Sequence, residues 1–233
     1  MDSRSWFINE ESFAGPEHLD SGYVQRYDRK AGFDPTFDLT RLRELGLGAG
    51  TTLVDIGAGT GEISLAASEK CDLVYAVDVS AAMLDALRAK AVERHATNLQ
   101  FIQAGFLTYE HRDELVDFVY TRHALHHLPD FWKAIALTRI ARILKPGGIL
   151  KLIDLTFNFE PGDAEQVIDS WLSGAPDDPS LGWTRAELEI HLRGEHSTFT
   201  WLLEPMLTRA GFVILDAAYA DSLVSTSYTC VRQ

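Results

Sequence analysis

Three of the eight histidines in this chain fall within five residues, in the run Arg122-His123-Ala124-Leu125-His126-His127-Leu128-Pro129. Imidazole gains and loses its proton near neutral pH, so such a cluster suits proton transfer or metal ligation. A helical turn over 123–127 sets His123, His126 and His127 on one face, from which one of them can act as general base toward a nucleophile that carries a proton. A plainer reading stands beside it: paired histidines cap the turn and order a loop. His123 and His127 are also spaced i, i+4, as metal ligands are. A zinc centre needs a third and fourth ligand, however, and none presents itself at a recognisable spacing, so no metal is expected.

The second stretch able to do chemistry is Val54-Asp55-Ile56-Gly57-Ala58-Gly59-Thr60-Gly61-Glu62. Without a Cβ, Gly57 and Gly59 let the backbone touch a bound molecule and adopt the dihedrals of a tight turn. The apolar run before the turn suits a strand and Ile63, Leu65 and Ala66 after it suit a helix, whose first N–H groups are left to face a ligand. Asp78, about 20 residues beyond the first glycine at the end of Leu73-Val74-Tyr75-Ala76-Val77, is placed to hold ribose hydroxyls. A dinucleotide turn reads G-x-G-x-x-G and would need glycine at 62. Glu62 there would set a carboxylate against the pyrophosphate, which disfavours nicotinamide and flavin dinucleotides.

The elements that position these residues alternate strand and helix, as in a doubly wound α/β sheet. Residues 1–33 are dense in aromatics, and a helix over roughly Pro16 to Lys30 puts Tyr23 and Tyr27 on one face, toward a ligand or onto the core. Asp34-Pro35 opens a helix with Leu39, Leu42 and Leu45 buried, ended by Gly46 and Gly48. Ser80 caps a helix that turns Met83, Leu84, Leu87 and Ala91 inward. Leu99–Ile102, Asp117–Thr121 and Ile149–Asp154 read as further strands, and Asp130 caps a helix bearing Trp132, Ala136, Ile140, Ile143 and Leu144. Between Asp154 and Gly211 come three helices: one around Val167 to Leu172, one opened by a capping box at Thr184-Arg185-Ala186-Glu187, and one from Ser197 that contains Pro205. Phe212–Ala218 and Ser225–Arg232 close the sheet.

With 233 residues, 46% hydrophobic and 24% charged, the chain is expected to form one globular domain. It divides into an N-terminal lid (1–33), a binding core (34–155), a helical substrate-side insertion (156–210) and a closing strand pair (211–233). A formal charge of −13 repels polyphosphate, so nucleic acid is not an expected partner. No uncharged apolar run approaches the roughly 18 residues of a membrane span, and no signal-peptide core opens the chain. A cytoplasmic protein without a membrane partner is expected, as a monomer or homodimer. Cys71 and Cys230 are expected to be free core thiols.

The pattern D-x-G-x-G-x-G from Asp55 resembles the first motif of the class I S-adenosyl-L-methionine (SAM) dependent methyltransferases, whose cofactor carries ribose and adenine but no phosphate. The segment Leu125-His126-His127-Leu128, a helix ending in Arg142-Ile143-Leu144-Lys145-Pro146-Gly147-Gly148, and a strand ending in Asp154 together resemble that superfamily's ubiquinone/menaquinone-biosynthesis-like branch. The resemblance runs from about Leu53 to Asp154. It implies a Rossmann-like, mostly parallel seven-stranded sheet of order 3-2-1-4-5-7-6 with the last strand antiparallel. It implies SAM as cofactor, with Asp55, Gly57, Ala58, Gly59 and Gly61 around its methionine part, Asp78 on the ribose, and Thr121 and Arg122 near the amino group. Adenine is expected between Val79 and Met83 on one side and Gly105 and Phe106 on the other. Where the family often has Gly-Asp-Ala, with the aspartate on the adenine amino group, this chain has Gly105 in the acidic slot, and the Phe106 N–H and ring are its substitutes. The run Tyr120-Thr121-Arg122-His123-Ala124-Leu125-His126-His127-Leu128 is also similar to phosphoethanolamine methyltransferases, in which a histidine at the place of His127 works with an N-terminal tyrosine. Tyr23 or Tyr27 would be that partner here. Those enzymes carry aspartate at the place of His123, so their cationic substrate is not implied.

The expected activity is methyl transfer to an O, N or C atom of a small molecule, with His127, His126, His123 and Tyr23 the catalytic candidates. Three alternatives stay open: a SAM-fold binding or regulatory module, an enzyme that modifies SAM itself as carboxy-SAM synthases do, and, more distantly, a dinucleotide oxidoreductase.

Overall fold

The computed structural model describes residues 5–233, apart from the side chains of Pro16, Glu17, Ser21, Tyr23, Gln25 and Arg26. A 3-10 turn at Glu10–Phe13 leads into α1 (Pro16–Leu19), α2 (Ser21–Ala31) and α3 (Thr36–Glu44). Then β1 (Thr52–Ile56), α4 (Glu62–Ser68), β2 (Leu73–Asp78), α5 (Ala81–Glu93), β3 (Leu99–Gln103), β4 (Val116–Arg122), α6 (Asp130–Ile143) and β5 (Leu144–Asp154) alternate as the sequence pattern requires. The chain continues through β6 (Thr156–Phe157), α7 (Ala164–Ser173), α8 (Arg185–Gly194), β7 (Thr198–Phe199) and α9 (Thr200–Arg209) to the closing strands β8 (Phe212–Tyr219) and β9 (Thr226–Arg232).

The seven-stranded sheet runs β3-β2-β1-β4-β5-β9-β8. Pairing is parallel from β3 through β5, and β9 lies antiparallel to both its neighbours. This is the expected order 3-2-1-4-5-7-6 once the two short strands β6 and β7 are left out. Successive strand residues face opposite sides of a sheet, and both faces here are covered. Val54, Val77, Val119 and Leu150 pack on one side with Trp132, Ala136 and Ile140 of α6 and Leu203 and Leu207 of α9. Leu53, Val74, Phe118 and Ile149 pack on the other with Leu42 of α3 and Ile63 and Ala67 of α4. Each such side chain, fully buried, contributes about 1.5–3 kcal/mol. Strand order reverses between β1 and β4, so the loops after these two strands part and open a crevice at their carboxyl ends.

Four local readings are corrected. The first long helix is two, because Asp20 lies between them and its carbonyl opens α2 by accepting the Val24 N–H at 3.0 Å. Asp130 is the first residue of α6 rather than its cap, and its carboxylate takes Lys133 Nζ at 2.7 Å and Thr198 Oγ1 at 3.1 Å. β5 begins at Leu144, which pairs with Val116, so the Lys145-Pro146-Gly147-Gly148 turn is folded into an irregular strand start. The parallel pair β6–β7 was not anticipated; two residues carry no period. The capping box at Thr184 and Glu187 and Pro205 inside α9 are as expected, but α9 begins at Thr200 rather than Ser197, since Thr198–Phe199 form β7. Both cysteines are buried and free.

Candidate functional site

The turn after β1 is fixed by its neighbours before any ligand is considered. Gly57 N–H and Ala58 N–H both donate to Val77 O, at 2.8 and 3.0 Å. Gly57 has φ 77°, and a Cβ there would fall 2.4 Å from the Ala124 Cβ; Gly61 has φ 84°, and a Cβ would fall 1.9 Å from Leu87 Cδ1. Gly59, at φ 54°, meets nothing within 4 Å, so the turn is closed by protein on two sides and open above its centre.

Asp78 lies beside that opening. Its Oδ2 accepts the Gly59 N–H at 2.8 Å and its Oδ1 the Ser80 N–H at 2.8 Å, while burial raises its pKa. A carboxylate has about four acceptor positions, so about two remain for the vicinal hydroxyls of a ribose. Asp78, Val79, Met83, Gly105 and Phe106 border a recess of about 100 Å³. Glu10 reaches the same recess from the N-terminal 3-10 turn: its Oε2 accepts Leu107 N–H and Thr108 Oγ1, each at 3.0 Å. A Cβ on Gly105 would come 2.5 Å from Glu10 Oε1. The adenine-side residues expected from sequence are thus together, and a carboxylate absent from the expected slot arrives from elsewhere in the chain.

A larger cavity of about 1090 Å³ joins the recess, sharing Gly57, Gly59, Arg122, His123, His127, Tyr27 and His18 with it. Its far wall is built by Val167, Trp171, Trp183, Leu188 and Ile190 of the insertion and by Phe33, just after α2. Across it Lys30 of α2 pairs with Glu187 of α8, and Lys30 Nζ stands 4.6 Å over the Trp183 ring. Asp55 borders the cavity, but its carboxylate accepts Ser64 Oγ at 2.5 Å, and burial raises its pKa to about 7. Arg122 lies 4.3 Å over the Phe33 ring and 3.5 Å from Asp38, which also accepts the Tyr120 hydroxyl at 2.6 Å. Thr121 is fully buried in β4 and lines neither space.

The histidine loop follows β4. His123 adopts φ 47° and donates its N–H to Ile153 O at 2.8 Å, and only Leu125–His127 form a 3-10 turn, so the three histidines do not form the single helical face expected. His126 is buried between two carboxylates, Asp154 on Nδ1 and Glu195 Oε2 at 2.9 Å from Nε2. Burial alone would lower its pKa, but the two carboxylates outweigh this and hold it up at about 9. Glu195, against burial, is held well below the usual carboxylate range by His126 and His191. Burial lowers His123 to about 4 and, with the neighbouring His126 charge, His127 to about 3. At neutral pH His126 is therefore charged and cannot accept a proton, whereas His123 and His127 are uncharged.

Of the two candidate tyrosines, Tyr27 is at the site: its ring meets His18 at 5.6 Å, and His18 meets His127 at 5.9 Å. The Tyr23 side chain lies outside the described residues. Trp6 stacks on Trp132 at 5.7 Å. The His196 N–H donates to His126 O at 2.9 Å, its carbonyl takes Lys133, and its ring meets Phe13 at 5.8 Å. Glu195, His191 and Glu10 were not anticipated; the only trace of the first was its place in the Arg193-Gly194-Glu195-His196 break after α8.

A sequence-family profile described as a methyltransferase domain matches residues 54–152. An uncharacterized methyltransferase of Geobacillus kaustophilus is 27% identical over 192 residues, 82% of this chain and 80% of that one. The 27-O-demethylrifamycin SV methyltransferase of Amycolatopsis mediterranei is 32% identical over 155 residues, 64% of this chain but only 52% of that one, and the chain spans about half of several other relatives. Among solved structures, magnesium protoporphyrin IX methyltransferase from Synechocystis with bound SAM superposes with a TM-score of 0.66 at 16% identity, over 99% of this chain and 100% of that one. At that identity the superposition speaks for the fold.

Proposed function

We propose that the chain is a class I SAM-dependent methyltransferase and that it methylates a bulky, largely apolar small molecule bearing a hydroxyl or another protonated nucleophile. The observation that carries this reading is the cavity of about 1090 Å³, joined to the glycine turn and walled by Trp171, Trp183 and Phe33. Ligand pockets usually measure about 300–1,000 Å³, so room remains for a large acceptor beside the methionine part of the cofactor. The Amycolatopsis relative is named for 27-O-demethylrifamycin SV, a name that puts the methyl group it transfers on an oxygen.

When bound, SAM supplies a methyl group on a sulfonium, open to in-line displacement. The open face of Gly59 and the remaining acceptor positions of Asp78 fit its backbone approach and its ribose, with Val79, Met83, Gly105 and Phe106 at adenine. The chain's own task is to orient the acceptor and exclude water. Residues 1–33 act as the lid and 156–210 as the substrate-side wall, and the Lys30–Glu187 pair joins them over the cavity. The wall bearing His123 and His127 receives the reacting atom of the acceptor. The enzyme is cytoplasmic, monomeric or homodimeric, and its charge of −13 turns nucleic acid away.

Two measurements test this. Titration calorimetry with S-adenosylhomocysteine is expected to show binding in the micromolar range, and no binding overturns the cofactor assignment in this chain. With labelled SAM, polycyclic hydroxylated acceptors are expected to be methylated in preference to small charged ones; the opposite preference overturns the acceptor class alone.

A further inference from the structure

On the cavity wall, the histidine loop and the end of α8 bring three donor side chains together. Asp154 holds His126 Nδ1, which turns Nε2 toward Glu195 Oε2 at 2.9 Å. His127 Nδ1 lies 3.9 Å from the same oxygen. One donor atom from each of His126, His127 and Glu195 falls within 4.8 Å of the others. Tetrahedral ligands about 2.1 Å from a shared zinc ion stand roughly 3.4 Å apart, close to these separations. His127 Nδ1 is buried and makes no hydrogen bond, whereas buried polar atoms nearly always make one, and Glu195 Oε2 is the oxygen that faces both it and His126 Nε2.

We propose that His126, His127 and Glu195 bind one divalent transition-metal ion, with the remaining coordination position open to the acceptor cavity. The surroundings are those of a ligand set held in place. A carboxylate on the far nitrogen of a ligating histidine fixes its tautomer and orientation, and Asp154 does this for His126. Asp154 is itself held by the Leu155 N–H at 2.9 Å. Glu195 is held by His191 Nδ1, and His191 Nε2 meets Ser197 Oγ at 2.9 Å. Two imidazoles and one carboxylate suit zinc, cobalt(II) or iron(II) rather than magnesium or calcium, and three protein ligands leave a position for water or substrate. The carboxylates of Asp154 and Glu195 offset the ion's charge. Sequence spacing pointed instead to His123 with His127; Glu195 joins the group only through the fold. The open position would take an oxygen donor of the acceptor, a consequence that rests on the methyltransferase reading, as the binding of the ion does not.

The test uses the full chain, freed of metal by a chelator. Equilibrium dialysis against zinc, read by plasma mass spectrometry, is expected to give one ion per chain, and cobalt(II) is expected to give a visible ligand-field spectrum. His127→Asn and Glu195→Gln should each weaken binding more than roughly tenfold, and Asp154→Asn by about 10–100-fold. His95→Asn, at the exposed end of α5, should bind as the wild type does. Circular dichroism and S-adenosylhomocysteine calorimetry on each variant separate loss of the site from loss of the fold. No stoichiometric zinc, or zinc bound equally by the His127 and Glu195 variants, overturns the proposal. If S-adenosylhomocysteine still binds in that case, the methyltransferase reading stands without it.

Discussion

The carboxylate of Glu10 occupies the space that a side chain on Gly105 would need: a Cβ built there lies 2.5 Å from Glu10 Oε1, while Oε2 accepts Leu107 N–H at 3.0 Å. The acidic group expected on the adenine turn is thus carried by the N-terminal segment. Glu10→Ala is expected to weaken S-adenosylhomocysteine binding by roughly tenfold, about 1.4 kcal/mol. Gly105→Asp alone should weaken it too, since the two carboxylates compete for one space. In the double variant the effects should cancel in part, recovering affinity above either single change. Calorimetry on the four proteins measures this, and simple additivity would separate the two positions.

Asp78 accepts N–H groups from Gly59 and Ser80, so it both shapes the turn and faces the recess. Asp78→Ala is expected to lose S-adenosylhomocysteine binding by about 100-fold or more, and Asp78→Asn by less, since an amide keeps one acceptor. Equal losses would mean that the charge, rather than the acceptor geometry, matters.

Asp55 titrates near pH 7 in the folded chain, against 3.8 as the ordinary value, because it is buried. Between those values the folded protein binds the extra proton, so this residue makes stability fall as pH rises, at up to about 1.4 kcal/mol per pH unit, with no further loss above pH 7. Asp55→Asn, whose amide oxygen can still accept Ser64 Oγ, should therefore gain on the wild type from pH 5 to pH 8. Urea denaturation at the two pH values checks this, and a constant difference between the proteins would refute it.

Lys30 pairs with Glu187 across the cavity and covers Trp183. Lys30→Met should cost about 1 kcal/mol of stability or less, as partly exposed pairs do. Its larger effect is expected on the acceptor: a several-fold higher KM with kcat little changed, and faster proteolysis between α1 and α3. Unaltered steady-state kinetics would reduce the pair to a surface contact.

What could be read in advance was local. The glycine turn, Asp78 at a strand end, the Thr184 capping box and the alternation that orders the sheet each lie within one or two elements, where periodicity and turn chemistry act. What could not be read was produced by closure over distance. Glu10 meets Leu107 across 97 residues, and Glu195 meets His126 only because α8 folds back on the loop after β4. The short strands β6 and β7 escaped notice because two residues cannot show a period. The break at Asp20 does not show in the aromatic spacing, because Tyr23 and Tyr27 both lie after it, within α2.

The miniature ribbon of Thr156–Phe157 against Thr198–Phe199 brings the chain back almost to where it left β5. The stretch between those two dipeptides therefore starts and ends at neighbouring points, while Glu187, Glu195 and His196 within it tie it to Lys30, His126 and Lys133. Substitutions within that stretch therefore fall on the cavity wall built by Val167, Trp171, Trp183 and Leu188, far along the chain from the Gly57–Gly61 turn.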